Sequence, residues 1–226
     1  MQASELFNQP NTILLDGGMG TMLQAAGMKL GTRPEDLNIE NPELIRSIHA
    51  KYAAAGSRVV NANTFGASPH KLADSKYTLE EVITAGVANC KQAVAPYGAL
   101  VTLDVGPLGE LLEPSGTLAF EDAVAEYGRI VRAGVAAGAD ILYFETFTDL
   151  YEMKAALLAA KENSTLPIMA SMSFEANGRT FTGCTVESFA ATARGLGANA
   201  VGINCSLGPK EIFPMAKRLA EAVPGD

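Results

Sequence analysis

Six short apolar runs punctuate the chain, at 13–16, 58–62, 100–105, 141–145, 168–173 and 200–204, and longer stretches with helical spacing lie between them. Runs this continuously apolar predict parallel strands covered on both faces. Helix starts are marked locally. Asn41-Pro42-Glu43 sets a cap, a first-turn proline and an acid ahead of a helix over 44–55. Thr78-Leu79-Glu80-Glu81 is a capping-box pattern that opens a helix running to 94. Asp149-Leu150-Tyr151-Glu152 is a further start, with its acids placed for the helix dipole. Residues 120–137 and 210–222 also read as amphipathic helices, and glycines at Gly56, Gly138, Gly195 and Gly197 mark helix ends before the next strand.

These six βα units show no break in composition, which predicts one domain over 1–226. An open doubly wound sheet and a (β/α)8 barrel both fit the alternation. The strand ends favour the barrel. Asp16, Asn61 with Asn63, Asp104, Glu145, Ser173 and Asn204 with Cys205 all fall at or just past the C-terminal end of a strand. A barrel gathers those ends on one face, where its active site forms, whereas an open sheet concentrates ligand groups at one switch point. The expected fold is α/β of the TIM-barrel type, incomplete, with six βα units present.

Charge narrows the partners. The 226 residues carry a net charge of -8, with 48% hydrophobic and 19% charged residues. That balance argues against nucleic acid or an anionic membrane surface as partner. No apolar run is long enough to span a bilayer, and the stretch Met1-Gln2-Ala3-Ser4-Glu5-Leu6-Phe7 lacks the basic start of a signal peptide. Three well-separated cysteines make no disulfide framework, so a reducing cytoplasm is the expected compartment.

Several motifs can carry chemistry. Asp16-Gly17-Gly18-Met19-Gly20 lets the backbone approach a ligand closely, yet matches neither a dinucleotide fingerprint nor a P-loop; a tight strand–helix turn explains it equally well. Asn61-Ala62-Asn63 brings two amides that either orient a ligand or satisfy loop backbone. Asp104-Val105-Gly106-Pro107 reads as turn punctuation. Glu145, set among aromatic neighbours, needs a partner: a substrate ammonium or a nearby base. Arg179 reads as a solvated loop charge, while Cys90 and Cys184 read as small buried hydrophobes. Cys205, in Gly202-Ile203-Asn204-Cys205-Ser206-Leu207-Gly208-Pro209, is a metal ligand, a nucleophile or a buried thiol.

In order along the chain, these motifs resemble the homocysteine S-methyltransferase family, and the stretch Gly106-Pro107-Leu108-Gly109-Glu110-Leu111-Leu112-Glu113-Pro114 is similar to its cobalamin-dependent branch. The resemblance implies a (β/α)8 barrel that forms methionine by methyl transfer to a zinc-bound homocysteine thiolate. Methylcobalamin or methyltetrahydrofolate would be the donor, with cobalamin carried on a partner domain or protein. It implies Cys205 as the first zinc ligand and Asp16, Gly17 and Gly18 as the cradle of the amino-acid end of homocysteine. Glu145 would meet the substrate amine, and Asn63 would lie near the metal. The family's other two zinc cysteines form an adjacent pair after an eighth strand, so one ligand of three is expected here. Corrinoid- and folate-binding modules are the expected partners, together with self-association through open sheet edges. A non-catalytic partial barrel that binds an amino acid or a protein without zinc is the alternative. An unrelated βα enzyme using Asp16 and Glu145 for acid–base work is a third reading.

Overall fold

Each strand pairs with the strand that follows it in sequence. In the computed structural model, which describes residues 3–29 and 31–223, β1 (Val59–Asn61), β2 (Leu100–Val105), β3 (Ile141–Phe147), β4 (Ile168–Met172) and β5 (Ala200–Ile203) form one parallel sheet in the order β1-β2-β3-β4-β5. Met1 and Gln2 of the N-terminal stretch lie outside the described residues. A doubly wound sheet would reverse its strand order at a switch point. This one never reverses, as expected of an incomplete barrel.

The helices are α1 (Ala3–Leu6), α2 (Met19–Ala25), α3 (Leu37–Glu40), α4 (Pro42–Ala54), α5 (Leu79–Val94), α6 (Phe120–Ala136), α7 (Leu150–Asn163), α8 (Val186–Gly195) and α9 (Pro209–Ala222). The caps form as their sequences dictate. Both halves of the Thr78/Glu81 capping box are made, Asn41 accepts from the Leu44 N–H at 3.3 Å, and Asp149 accepts from the Tyr151 N–H at 3.0 Å.

One expected strand does not form. Over 13–16 the chain makes a single parallel bridge, Leu15 to Val59, in place of a ladder. The Asp16 N–H donates to the Val59 carbonyl at 3.1 Å, and the Arg58 N–H donates to the Leu14 carbonyl at 2.8 Å. The segment thus lies along β1, but no strand among the described residues covers its far side, and Leu14 is 57% exposed. The sheet therefore has five strands rather than six.

Side-chain alternation divides the interior into two layers. Val60, Val101, Leu103, Val105, Leu142, Phe144, Ala170 and Met172 pack outward in the large core shared with the helices. Val59, Leu100, Ile141, Tyr143 and Met169 point the other way and form a separate cluster with Leu6 of α1. Moving two residues on toward each strand's C-terminal end replaces apolar by polar: Leu100 leads to Thr102 and Asp104, Ile141 to Tyr143 and Glu145, Met169 to Ser171 and Ser173. The barrel interior is thus an apolar floor closed by α1 and a polar mouth at the opposite end.

His49 of α4 is fully buried, and neither ring nitrogen has a hydrogen-bond partner. Burial pushes its pKa down to about 4. A histidine that is neutral when folded takes up its proton more readily when unfolded, so its contribution is intact above pH 6.5 and falls away toward pH 4. His49→Leu should therefore lose about 2 kcal/mol less stability than wild type between pH 7.5 and pH 5. Urea unfolding at both pH values measures this; equal losses would refute it.

Candidate functional site

The polar mouth encloses two adjoining cavities. One, of about 250 Å³, is lined by Asp16, Gly17, Gly18, Met19, Asn61, Ala62, Asn63, Phe65, Asp104, Glu145 and Cys205. Its neighbour, of about 400 Å³, shares Met19, Asn63, Phe65, Asp104, Glu145 and Cys205 and adds Gly20, Pro34, Glu35 and Thr146. All six residues singled out from the sequence, Asp16, Gly17, Gly18, Asn63, Glu145 and Cys205, meet around the smaller cavity.

Each lies in or follows a strand or, for Asp16, Gly17 and Gly18, the segment bridged to β1. Asp16 follows the Leu15 bridge; its Oδ2 accepts from the Asn61 N–H at 3.0 Å, and its buried Oδ1 has no partner. Gly17 runs so close to Tyr52 that a Cβ would lie 2.9 Å from its hydroxyl oxygen, and the same hydroxyl donates to the Gly18 carbonyl at 3.2 Å. Asn63 is buried, and its amide group donates to the Pro34 carbonyl at 2.7 Å and to Asn38 Oδ1 at 2.9 Å. Its amide hydrogens are committed to the loop, so Asn63 shapes the wall. Asn61 accepts from Thr102 Oγ1 at 2.7 Å and ties β1 to β2.

Between Phe144 and Phe147 the pairing of β3 with β4 shifts register, three steps on one strand facing two on the other. Such a bulge re-aims side chains beside a site. Thr146 within it has φ of 64°, and Cys205 and Ser206 past β5 have φ of 59° and 62°. Asn204 joins the two irregular segments. Its Nδ2 donates to Glu145 Oε2 at 3.2 Å, Thr146 Oγ1 at 2.7 Å and Cys205 Sγ at 3.5 Å. Its Oδ1 accepts from the Thr146 N–H at 3.2 Å and from Ser171 Oγ at 3.0 Å. Cys205 is held exposed at the mouth, with Thr146 Oγ1 3.7 Å from its sulfur.

The electrostatics are one-sided. Neither cavity is lined by Lys, Arg or His, while four carboxyls line them. Burial, with repulsion from Glu145, pushes Asp16 up to about 7. Asp104 lies well above the usual carboxylate range because it is buried and faces Glu145, Asp16, Glu35 and Cys205. Burial also raises Glu145, with the Tyr143 hydroxyl opposing the shift, and raises Glu35, whose Oε1 accepts from the Gly66 N–H at 2.7 Å. A pocket rich in poorly solvated acceptors favours a cationic ligand.

The sequence places Asp104 among the strand ends on the active-site face, but the Gly-Pro turn behind it reads as punctuation and Asp104 is not among the expected ligand residues. Asp104 lines both cavities, and its Oδ1 is buried without a partner. Its place at the end of an apolar strand was the available signal. Glu35, far away in sequence on a short turn, offered none. The remaining thiols stay apart from the site. Cys90 is buried with its sulfur 3.8 Å from the Val60 carbonyl. Cys184 is half-buried, with its pKa pushed up to about 11 chiefly by burial, and lines a different cavity together with Arg179. Arg179 reaches the Gly183 carbonyl at 2.8 Å and is exposed. Among the described residues no group of three His, Cys, Asp or Glu is arranged to hold a metal ion, so the residues around Cys205 do not fit a zinc centre. Nor is any helix among them long and apolar enough to cross a membrane.

The chain is 28% identical over 223 residues to the methionine synthase of Mycobacterium tuberculosis; the match takes in 91% of this chain and 19% of that protein, so the chain spans about a fifth of its length. It shares the fold of the Escherichia coli homocysteine methyltransferase MmuM in its metallated crystal form, with a TM-score of 0.86, 24% identity and coverage of 97% of this chain and 83% of that one. The apo form of the same enzyme gives a TM-score of 0.77 at 24% identity, over 96% of this chain and 81% of that one. Residues 13–225 match the family described as homocysteine S-methyltransferase. The chain belongs to the homocysteine S-methyltransferase family.

Proposed function

We propose that the protein binds homocysteine and presents its sulfur for methylation to methionine, as the homocysteine-binding part of an enzyme of the methionine synthase type. The observation that carries this reading is an exposed thiol, Cys205, at the mouth of a cavity of amino-acid size lined by carboxyls and no cation. The ammonium of homocysteine would meet Asp16 and Glu145, with the glycine backbone at Gly17 and Gly18 against its amino-acid end. Sulfur would then lie toward Cys205, facing the open mouth. The reaction forms a sulfur–methyl bond as the donor–methyl bond breaks, and the thiol proton is released. A free thiol is mostly protonated at neutral pH, so orientation alone supplies only part of the rate.

Similarity to a methionine synthase supports a corrinoid or folate methyl donor on a partner module. Family resemblance supports zinc as the group that would lower the thiol pKa. Against it, Cys205 is the one thiol lining the two cavities, and the described residues hold no three-ligand cluster. That same observation favours a second reading, a partial barrel that holds the amino acid without catalysis. The open edges, at the 13–16 segment beside β1 and at β5, would pair with a second chain.

Four outcomes are expected. Cys205→Ser should abolish methylation of homocysteine with no measurable change in Tm, and metal analysis of the 226-residue protein should find well below one zinc per chain. Stoichiometric zinc that disappears in Cys205→Ser would sink the non-catalytic reading; wild-type protein that transfers no methyl group when a corrinoid donor is supplied would sink the catalytic one. Asp16 carries a raised pKa, so its stabilising contribution is present below pH 4 and lost as pH rises through about 7. Asp16→Asn should therefore melt above wild type at pH 8, match it near pH 4, and bind homocysteine at least about tenfold more weakly; a less stable variant at pH 8 would contradict this. Sedimentation velocity should show species larger than one chain, and a monomer at all concentrations tested would refute edge pairing.

A further inference from the structure

Two side chains reach the sulfur of Cys205: Asn204 Nδ2 at 3.5 Å and Thr146 Oγ1 at 3.7 Å. A donor count separates them. The Asn204 amide has a fixed orientation, because its Oδ1 accepts from the Thr146 N–H at 3.2 Å and from Ser171 Oγ at 3.0 Å. A backbone N–H can only donate, so the amide oxygen faces it and the nitrogen faces the other way. That nitrogen carries two hydrogens and meets three acceptors: Thr146 Oγ1 at 2.7 Å, Glu145 Oε2 at 3.2 Å and the sulfur. The two shorter contacts claim the hydrogens, and the sulfur is left the weakest share. Thr146 makes up the difference. Its Oγ1 accepts from Asn204, so its own hydrogen is free, and the Cys205 sulfur is the acceptor it meets.

The backbone supports this independently. Thr146 sits in the β3 bulge with φ of 64°, a conformation that glycine adopts freely and that is an outlier for a β-branched residue. Strain of this kind points to a use for the side chain that bears it. Cys205, at φ of 59°, is strained in the same way past β5. Two left-handed residues, on either side of β4, thus bring a hydroxyl and a thiol together. We propose that Thr146 is a positioning residue for Cys205: its hydroxyl donates to the sulfur and fixes the direction in which the thiol faces the mouth. The effect on rate, though not the contact itself, rests on the homocysteine reading above. Asn204 aims the hydroxyl, and the hydroxyl aims the thiol. Thr146 lines the 400 Å³ cavity and not the 250 Å³ cavity that would take the amino acid. Its loss therefore slows turnover and spares binding.

Two measurements on the full chain test this, with Thr146→Val, Thr146→Ser and Thr146→Gly beside wild type. Crystal structures locate the Cys205 sulfur. It should hold one position in wild type and Thr146→Ser, and be displaced or split in Thr146→Val, which keeps the shape and strain of threonine without a hydrogen to donate. An unmoved sulfur in Thr146→Val would overturn the proposal. Methyl transfer from methylcobalamin to homocysteine reads the consequence. Thr146→Val should lower kcat about tenfold with KM within about twofold of wild type, and Thr146→Ser should recover most of the loss. Thr146→Gly separates positioning from folding: it relieves the backbone, so its Tm should equal or exceed that of wild type while its kcat falls as in Thr146→Val. Wild-type kcat in Thr146→Gly, or a rise in KM alone in Thr146→Val, would also overturn the proposal. Wild-type protein that transfers no methyl group would overturn the homocysteine reading, and the sulfur position then decides the role of Thr146 by itself. Should Thr146→Val lack a cooperative melt, the structure of Thr146→Gly takes its place.

Discussion

Strand register is the constraint on which the site depends. Side chains alternate across a strand, so every second residue enters the barrel and the rest face the helices. Pairing Asp104 with Tyr143 and Val105 with Phe144 sends Asp104 inward and Val105 outward. A slip of one residue in β2 would exchange them, placing a carboxyl in the helix-facing core and an isopropyl group in the cavity. The apolar floor of Val59, Leu100, Ile141 and Met169 under α1 opposes such a slip, because each of these residues would have to leave its layer. The floor contains none of the site residues, yet it aims all of them.

Above the floor, one amide does most of the positioning. Thr146 and Cys205 both hold left-handed backbone conformations that cost side-chain-bearing residues about 1–3 kcal/mol each. Asn204 bonds to the backbone and hydroxyl of the first and to the sulfur of the second. It also bonds Glu145 and accepts from Ser171, so β3, β4 and β5 are joined at the level of the thiol. The local strain is held in place by this network. Its effect is to turn Cys205 out of the wall and toward the mouth, where a ligand can reach it.

The features legible in the sequence are those set by local chemistry. β2 and β4 are buried at every position, so their continuous apolar runs identified them directly. The caps at Asn41, Thr78 and Asp149 involve side chains reaching only two or three residues along the chain, and their residue types announce them. The run over 13–16 looked the same as the true strands, but a strand also needs neighbours, and pairing is not written in the run itself. The cluster was half visible for a related reason. Asp16, Glu145 and Cys205 stood out through their own motifs, whereas Asp104 was masked by the Gly-Pro turn behind it. Gly106 in that turn has its own tertiary cause: a Cβ there would lie 2.7 Å from the ring of Phe65, which forms part of the cavity wall. The punctuation and the site are therefore one feature.

The carboxyl cluster is a liability to the free protein. Placing Asp16, Glu35, Asp104 and Glu145 around one poorly hydrated space raises all four pKa values and leaves two oxygens unpaired. Apolar replacements would stabilise the fold, since an unpaired buried polar group costs on the order of 1–3 kcal/mol. Structural roles do not require such an arrangement. Glu152, the buried carboxyl outside the site, shows the contrast, because its Oε1 accepts from both the Leu108 N–H and the Tyr127 hydroxyl at 2.8 Å. One carboxyl is satisfied by the protein and stabilises a turn, while the cluster at the mouth remains short of donors. A cationic ligand supplies those donors and the missing positive charge together, so binding and relief of the electrostatic penalty are the same event.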